Sequence, residues 1–102
     1  MPVIKRLNVN TFTTEADNDA FIKELTTLWQ KLDVHEIRSK VSVDINKDKN
    51  NRCRMTAFVT IESEQVAKVM EDWVKNIVVP ARNKYQHENL MIDAELVATI
   101  EK

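Results

Sequence analysis

Few residues in this chain have side chains suited to chemistry, and they lie far apart. It has one cysteine, Cys53, and two histidines, His35 and His87. A single cysteine rules out an internal disulfide, and none of the three stands at a zinc-ligand spacing. Carboxylates are plentiful, but a general acid or base must come within about 3 Å of the proton it moves, and no spacing brings candidates together. The chain contains 0 glycines. Phosphate-cradling loops, dinucleotide fingerprints and nucleophile elbows all need glycine for positive φ or close backbone approach, so none of them is present. The expectation is a protein that is not an enzyme and takes no metal and no cofactor.

At 102 residues the chain has room for one domain, expected to span 1–102. With 43% hydrophobic and 30% charged residues it has the composition of a globular domain. Its net charge of −1 lacks the basic excess usual in polyanion binders. The opening Met1-Pro2-Val3-Ile4-Lys5-Arg6 has no apolar run of the signal-peptide kind, and no long apolar stretch follows. A cytoplasmic location away from membranes is expected. Where a turn needs a left-handed residue, Asn46, Asn50, Asn51, Asn83 or Asn89 would have to supply it.

The elements that position these residues follow from apolar spacing. Residues 3–10 alternate as a strand, with Val3, Leu7 and Val9 assigned to the core and Arg6, Asn8 and Asn10 to the opposite side. A cap at Thr13 or Thr14 opens a helix whose buried stripe is Phe21, Ile22, Leu25, Leu28, Trp29 and Leu32. From Ile37 to Ile45 the period becomes two, and after the polar turn 46–51 it resumes with Cys53, Met55, Ala57, Val59 and Ile61 facing inward, as in a hairpin. Ser63 caps a second helix with the stripe Val66, Val69, Met70, Trp73, Val74 and Ile77, ending near Pro80. A connection over 81–89 leads to a last strand, with Leu90, Ile92, Ala94, Leu96, Ala98 and Ile100 assigned to the core. The order βαββαβ predicts an α+β ferredoxin-like fold, a four-stranded antiparallel sheet with two helices on one face. Strands one and three should be central. Helical or strand spacing makes Trp29, Trp73, Met55, Met70 and Cys53 core residues, while His35 and His87 fall in connections.

The polar strand positions would then form the open face. They are Arg6, Asn8 and Asn10, then Arg38, Lys40, Ser42 and Asp44, then Arg52, Arg54, Thr56, Phe58 and Thr60, with Met91, Asp93, Glu95, Val97 and Thr99 at one edge. The run Arg54-Met55-Thr56-Ala57-Phe58-Val59-Thr60-Ile61, followed by Glu62-Ser63-Glu64-Gln65-Val66-Ala67-Lys68, resembles the third strand and second-helix entry of an RNA recognition motif. Arg54, Ala57, Phe58 and Val59 match the family's octamer, and Met55, Thr56 and Ile61 depart from it. The resemblance implies a stacking role for Phe58 and a nucleic-acid contact for Arg54, with Arg38, Lys40 and Arg52 adding charge. Thr56 and Asn8 stand where that family carries further aromatics.

Phe58 on an otherwise polar face also reads as an interface anchor, with Met91 and Val97 extending it. A second copy could set its basic strands against Asp93 and Glu95. The reading is therefore a non-enzymatic binding or regulatory module acting through its open sheet face on a protein partner, a second copy included. The alternative is a degenerate binder of single-stranded RNA. Small-molecule binding or catalysis at a dimer interface ranks last, since it rests on fold analogy.

Overall fold

The computed structural model describes residues 3–101. β1 (Ile4–Phe12) is followed by α1 (Glu15–Gln30), a short α2 (His35–Arg38), β2 (Val41–Lys47) and β3 (Arg54–Ile61). α3 (Glu64–Trp73) runs through a π-helical turn (Val74–Val78) into α4 (Val79–Arg82), and β4 (His87–Glu95) completes the sheet. The strand order is β2-β3-β1-β4, all neighbours antiparallel, so the fold is the expected ferredoxin-like α+β arrangement with β1 and β3 central. No helix among the described residues is long and apolar enough to cross a membrane.

Both main helices start where their caps predict. Thr14 accepts a hydrogen bond from the Asp17 amide at 3.1 Å, and Ser63 accepts one from Val66 at 3.3 Å. Phe21 and Leu25 of α1 and Val66, Ala67 and Met70 of α3 pack on Ile4, Phe12, Met55, Ala57, Val59 and Ile61 of the sheet. Trp29 and Trp73 meet between the helices at 4.8 Å between ring centroids. The second helical run ends at Arg82, just past Pro80. Proline cannot donate to the carbonyl four residues back, and the chain passes into α4 through the wider π-helical turn that precedes it.

Three local expectations are revised. The second strand begins at Val41, because residues 35–38 form α2, and the last strand closes at Glu95. Cys53 lies in the hairpin turn and is only partly buried. No described residue has positive φ, so none of the five asparagines is left-handed. The hairpin turns instead through side-chain acceptors: Asp48 Oδ1 takes the amides of Asn50 and Asn51, and Asn51 Oδ1 takes that of Cys53.

The largest revision concerns sides of the sheet. Arg6 pairs with Val59, Asn8 with Ala57 and Asn10 with Met55, all buried beneath the helices. Arg6, Asn8 and Asn10 therefore point toward the helices, and Leu7 and Val9 point to the open face. β4 follows β1 in register, so Leu90, Ile92 and Ala94 join Leu7 and Val9, and Met91, Asp93 and Glu95 turn to the helix side. Alternation fixes which residues share a side but not which side is covered. Here Ile4 and Phe12 decide it, because they share the parity of Arg6 and are buried to 7% and 4% exposure.

Candidate functional site

The register shift produces two places where the chain can act. The first is the open sheet face. Phe58 stands there 51% exposed, opposite Leu7 on β1 and Asp44 on β2, with Ile92 beyond Leu7. Leu90 and Ile92 are 56% and 47% exposed. The β1–β4 half of the face is thus apolar, while the β2 half carries Ser42, Asp44 and Asn46. Lys5, on the same face, donates to Thr60 at 2.9 Å. A shallow basin around Phe58 is lined by Lys5, Leu7, Asp44, Thr60, Ile92 and Ala94.

The second place is a chamber between sheet and helices, lined by Arg6, Asn8, Asn10, Trp29, Met70, Arg82 and Met91 among others. Arg6 is buried to 7% exposure and grips Asp93 with two bonds, Nε to Oδ1 at 2.6 Å and Nη2 to Oδ2 at 2.8 Å. A third bond reaches Glu71 at 3.2 Å. The Asp93 hydrogen bonds raise the Arg6 pKa and hold the Asp93 carboxyl below the usual aspartate range. Asn89 Nδ2 bridges the side-chain oxygens of Asn8 and Asn10 at 2.6 and 2.8 Å. Arg82 differs from these. Its Nε is buried without a hydrogen-bond partner, and desolvation lowers its pKa. The enclosed volume is about 60 Å³.

Of the residues expected on the open face, Ser42, Asp44, Arg54, Thr56, Phe58 and Thr60 stand there, and the expected binding cations other than Arg54 do not. Arg54 is tied to Asp48 at 2.8 Å. Arg52 lies in the hairpin turn, 3.6 Å from Glu15. Arg38 belongs to α2 and donates to the Leu32 carbonyl at 2.8 Å, and Lys40 sits in the turn before β2. Arg6 and Asn8 belong to the chamber. Asp93 and Glu95 are likewise on the helix side, so they cannot meet basic strands of a second copy across the open face. Among the described residues no three of His, Cys, Asp and Glu cluster as a metal site. His87 opens β4, its ring 5.7 Å from Phe12 and its Nδ1 2.8 Å from the Tyr85 carbonyl. The chamber was legible only as three polar residues in one strand; its partners Asp93, Asn89 and Arg82 are brought there by register and by the π-helical turn.

No family model matches the sequence, and no curated protein matches it significantly. Solved structures do. The chain is similar to a dimeric ferredoxin-like protein from an uncultured marine organism, with a TM-score of 0.78 at 14% identity over 100% of this chain and 94% of the other. A second dimeric ferredoxin-like protein of marine origin gives 0.76 at 12% identity, covering 98% of this chain and 100% of that one. SnoaB of Streptomyces nogalater, a cofactor-independent oxygenase, gives 0.71 at 5% identity with 100% of both chains covered. At such identities the likeness establishes the ferredoxin-like fold of this chain.

Proposed function

We propose that the protein is a homodimeric module whose open sheet face buries against the same face of a second copy. One observation carries the proposal: the side of the sheet that the helices leave uncovered is apolar along β1 and β4 and at Phe58. An antiparallel sheet with one wet face normally alternates apolar with polar, whereas here Leu7, Val9, Phe58, Leu90 and Ile92 are gathered on the uncovered side. Lys5 and Asp44 on the same face offer opposite charges that a twofold axis can bring together. The dimeric marine proteins of the same fold support the reading. Sedimentation equilibrium over a range of protein concentrations tests it: a dimer mass is expected, and a monomer at the highest soluble concentration would overturn it.

Single-stranded RNA fits this geometry less well. Leu7 and Val9 occupy the first-strand positions beside Phe58, Arg54 is paired with Asp48, and Asp44 adds negative charge where a phosphate backbone would run.

A second reading is favoured by the unpartnered Arg82 Nε in the chamber. A small acceptor such as a carboxylate would satisfy that donor, and the likeness to a cofactor-independent oxygenase adds small-molecule chemistry to what such a chamber could host. The enclosed volume of about 60 Å³ limits the occupant to a few non-hydrogen atoms, against roughly 300–1,000 Å³ for ordinary ligand pockets. Acetate titrated into labelled protein should shift the Arg82 Nε–H resonance, and an unmoved resonance would dismiss this reading.

A further inference from the structure

We propose that residues 96–101 of one copy pair with the free edge of β2 in the other, closing the two sheets into one eight-stranded barrel. The inference rests on the homodimer reading above and names the contact that completes it.

The segment itself is the first observation. Beyond Glu95 the chain keeps one bond of the strand, from the Leu96 amide to the Val3 carbonyl at 3.0 Å, and then leaves the sheet. It keeps a strand's alternation, Leu96, Ala98 and Ile100 against Val97 and Thr99, yet Val97 is 91% and Ile100 95% exposed. The second observation is the edge. β2 is the outer strand of the sheet, in unbroken register with β3 and without proline, so its outward amides and carbonyls are a template for another strand. Alongside it runs a groove of about 290 Å³ lined by Trp29, Leu32, Val41, Val43 and Ile45.

Length and parity match the two. Six extended residues span about 20 Å, close to the reach of β2. If the alternation of β4 continues, Val97 and Thr99 lie on the helix side, where the groove is, and Leu96, Ala98 and Ile100 on the open-face side, where the two sheets meet. The segment cannot serve its own β2. Those strands are opposite edges, roughly 14 Å apart across three strand spacings, and crossing that distance leaves too few residues to pair. A twofold axis through the facing sheets removes the obstacle for both copies at once.

Area gives an independent reason. Four strands about 4.8 Å apart and roughly eight residues long present a face of about 500 Å². Two such faces bury about 1,000 Å², at the lower limit for a specific interface. Two exchanged segments would bring the total into the standard range.

The test labels the segment of one copy and observes β2 of another. A nitroxide on Thr99→Cys, in a Cys53→Ser background, is mixed with spin-free ¹⁵N-labelled wild-type chain. Selective loss of the amide signals of residues 41–47 is expected. A dimer mass with those signals intact would overturn the exchange and leave the sheet-face dimer standing, whereas a monomeric wild-type chain would overturn both. In parallel, a chain truncated after Glu95 should dimerise at least tenfold more weakly with its protomer fold retained by circular dichroism. An unchanged dissociation constant would equally refute the pairing.

Discussion

Truncating Phe58 to alanine tests the proposed self-association through the sheet face. Full burial of a phenylalanine side chain is worth about 1.5–3 kcal/mol, and Phe58 is 51% exposed in the protomer, so about half of that remains to be gained on association. A twofold interface contains the residue twice. Phe58→Ala should therefore weaken the dimer by about 1.5–3 kcal/mol, a rise of roughly 10- to 100-fold in Kd at 1.4 kcal/mol per decade. The half already packed against Leu7 and its neighbours contributes to folding, so each protomer should also lose about 1 kcal/mol, some 4–8 °C in Tm for a chain of this size. Sedimentation equilibrium gives the first quantity and thermal circular dichroism of dilute protein the second. A Kd within threefold of wild type, alongside the expected loss of Tm, would show that Phe58 packs within the protomer only and that the sheet face is not the dimer surface.

Three further outcomes follow from the side chains described. Asp93→Asn leaves the buried Arg6 with Glu71 as its remaining charged partner and should cost about 1–2 kcal/mol near neutral pH, a value discounted for the partial exposure of Asp93 and read by urea denaturation. The Asp93 carboxyl has its pKa lowered on folding, so the pair's contribution is complete above the ordinary value of 3.8 and is lost as pH falls through the lowered one. Tm should thus decline below about pH 4, less steeply in Asp93→Asn; equal slopes would contradict the assignment. Asp48→Ala removes the acceptor for two turn amides and for Arg54, and hydrogen exchange should quicken at Asn50 and Asn51 while β1 stays protected. Mixed-sequence single-stranded RNA at low salt should leave the amides of Arg54, Thr56 and Phe58 unshifted, and salt-sensitive shifts there would restore the RNA reading.

Much of the architecture was legible because each helix announces itself twice, by a cap and by an apolar stripe. Thr14 with Asp17, and Ser63 with Val66, set the starts, and the stripes through Phe21–Leu25 and Val66–Met70 mark the buried sides. β3 was legible for a similar reason, since Met55, Ala57, Val59 and Ile61 alternate with polar residues except at Phe58. β1 was legible as a strand but its covered side was not, because its apolar residues fall in both parities: Ile4 and Phe12 in one, Leu7 and Val9 in the other. Assigning Val3, Leu7 and Val9 to the core placed Arg6 and Asn8 on the wrong side. β4 misled in the same sense, since Leu90, Ile92 and Ala94 are a regular apolar row that reads as a core side for any covering layer. The turn at 48–51 was legible as a turn, but side-chain capping achieves it without the left-handed asparagines that a glycine-free chain was expected to need.

The parity of β1 joins the chamber to the proposed dimer surface. Turning Leu7 and Val9 inward would have given the helices an apolar strand to cover and left Arg6, Asn8 and Asn10 in water at no desolvation cost. The chain does the reverse. It buries a guanidinium, which is costly unless its charge is matched, and matches it with Asp93 from the neighbouring strand. Because Arg6 and Asp93 face each other in the β1–β4 ladder, their turning inward puts Leu7 opposite Ile92, and Val9 opposite Leu90, on the other side. An isolated protomer would leave that second apolar row partly in water, while a dimer covers it. The Arg6–Asp93 pair and the apolar row are thus two consequences of one register, so a variant that releases the first, such as Asp93→Asn, should loosen the β1–β4 pairing and with it weaken self-association.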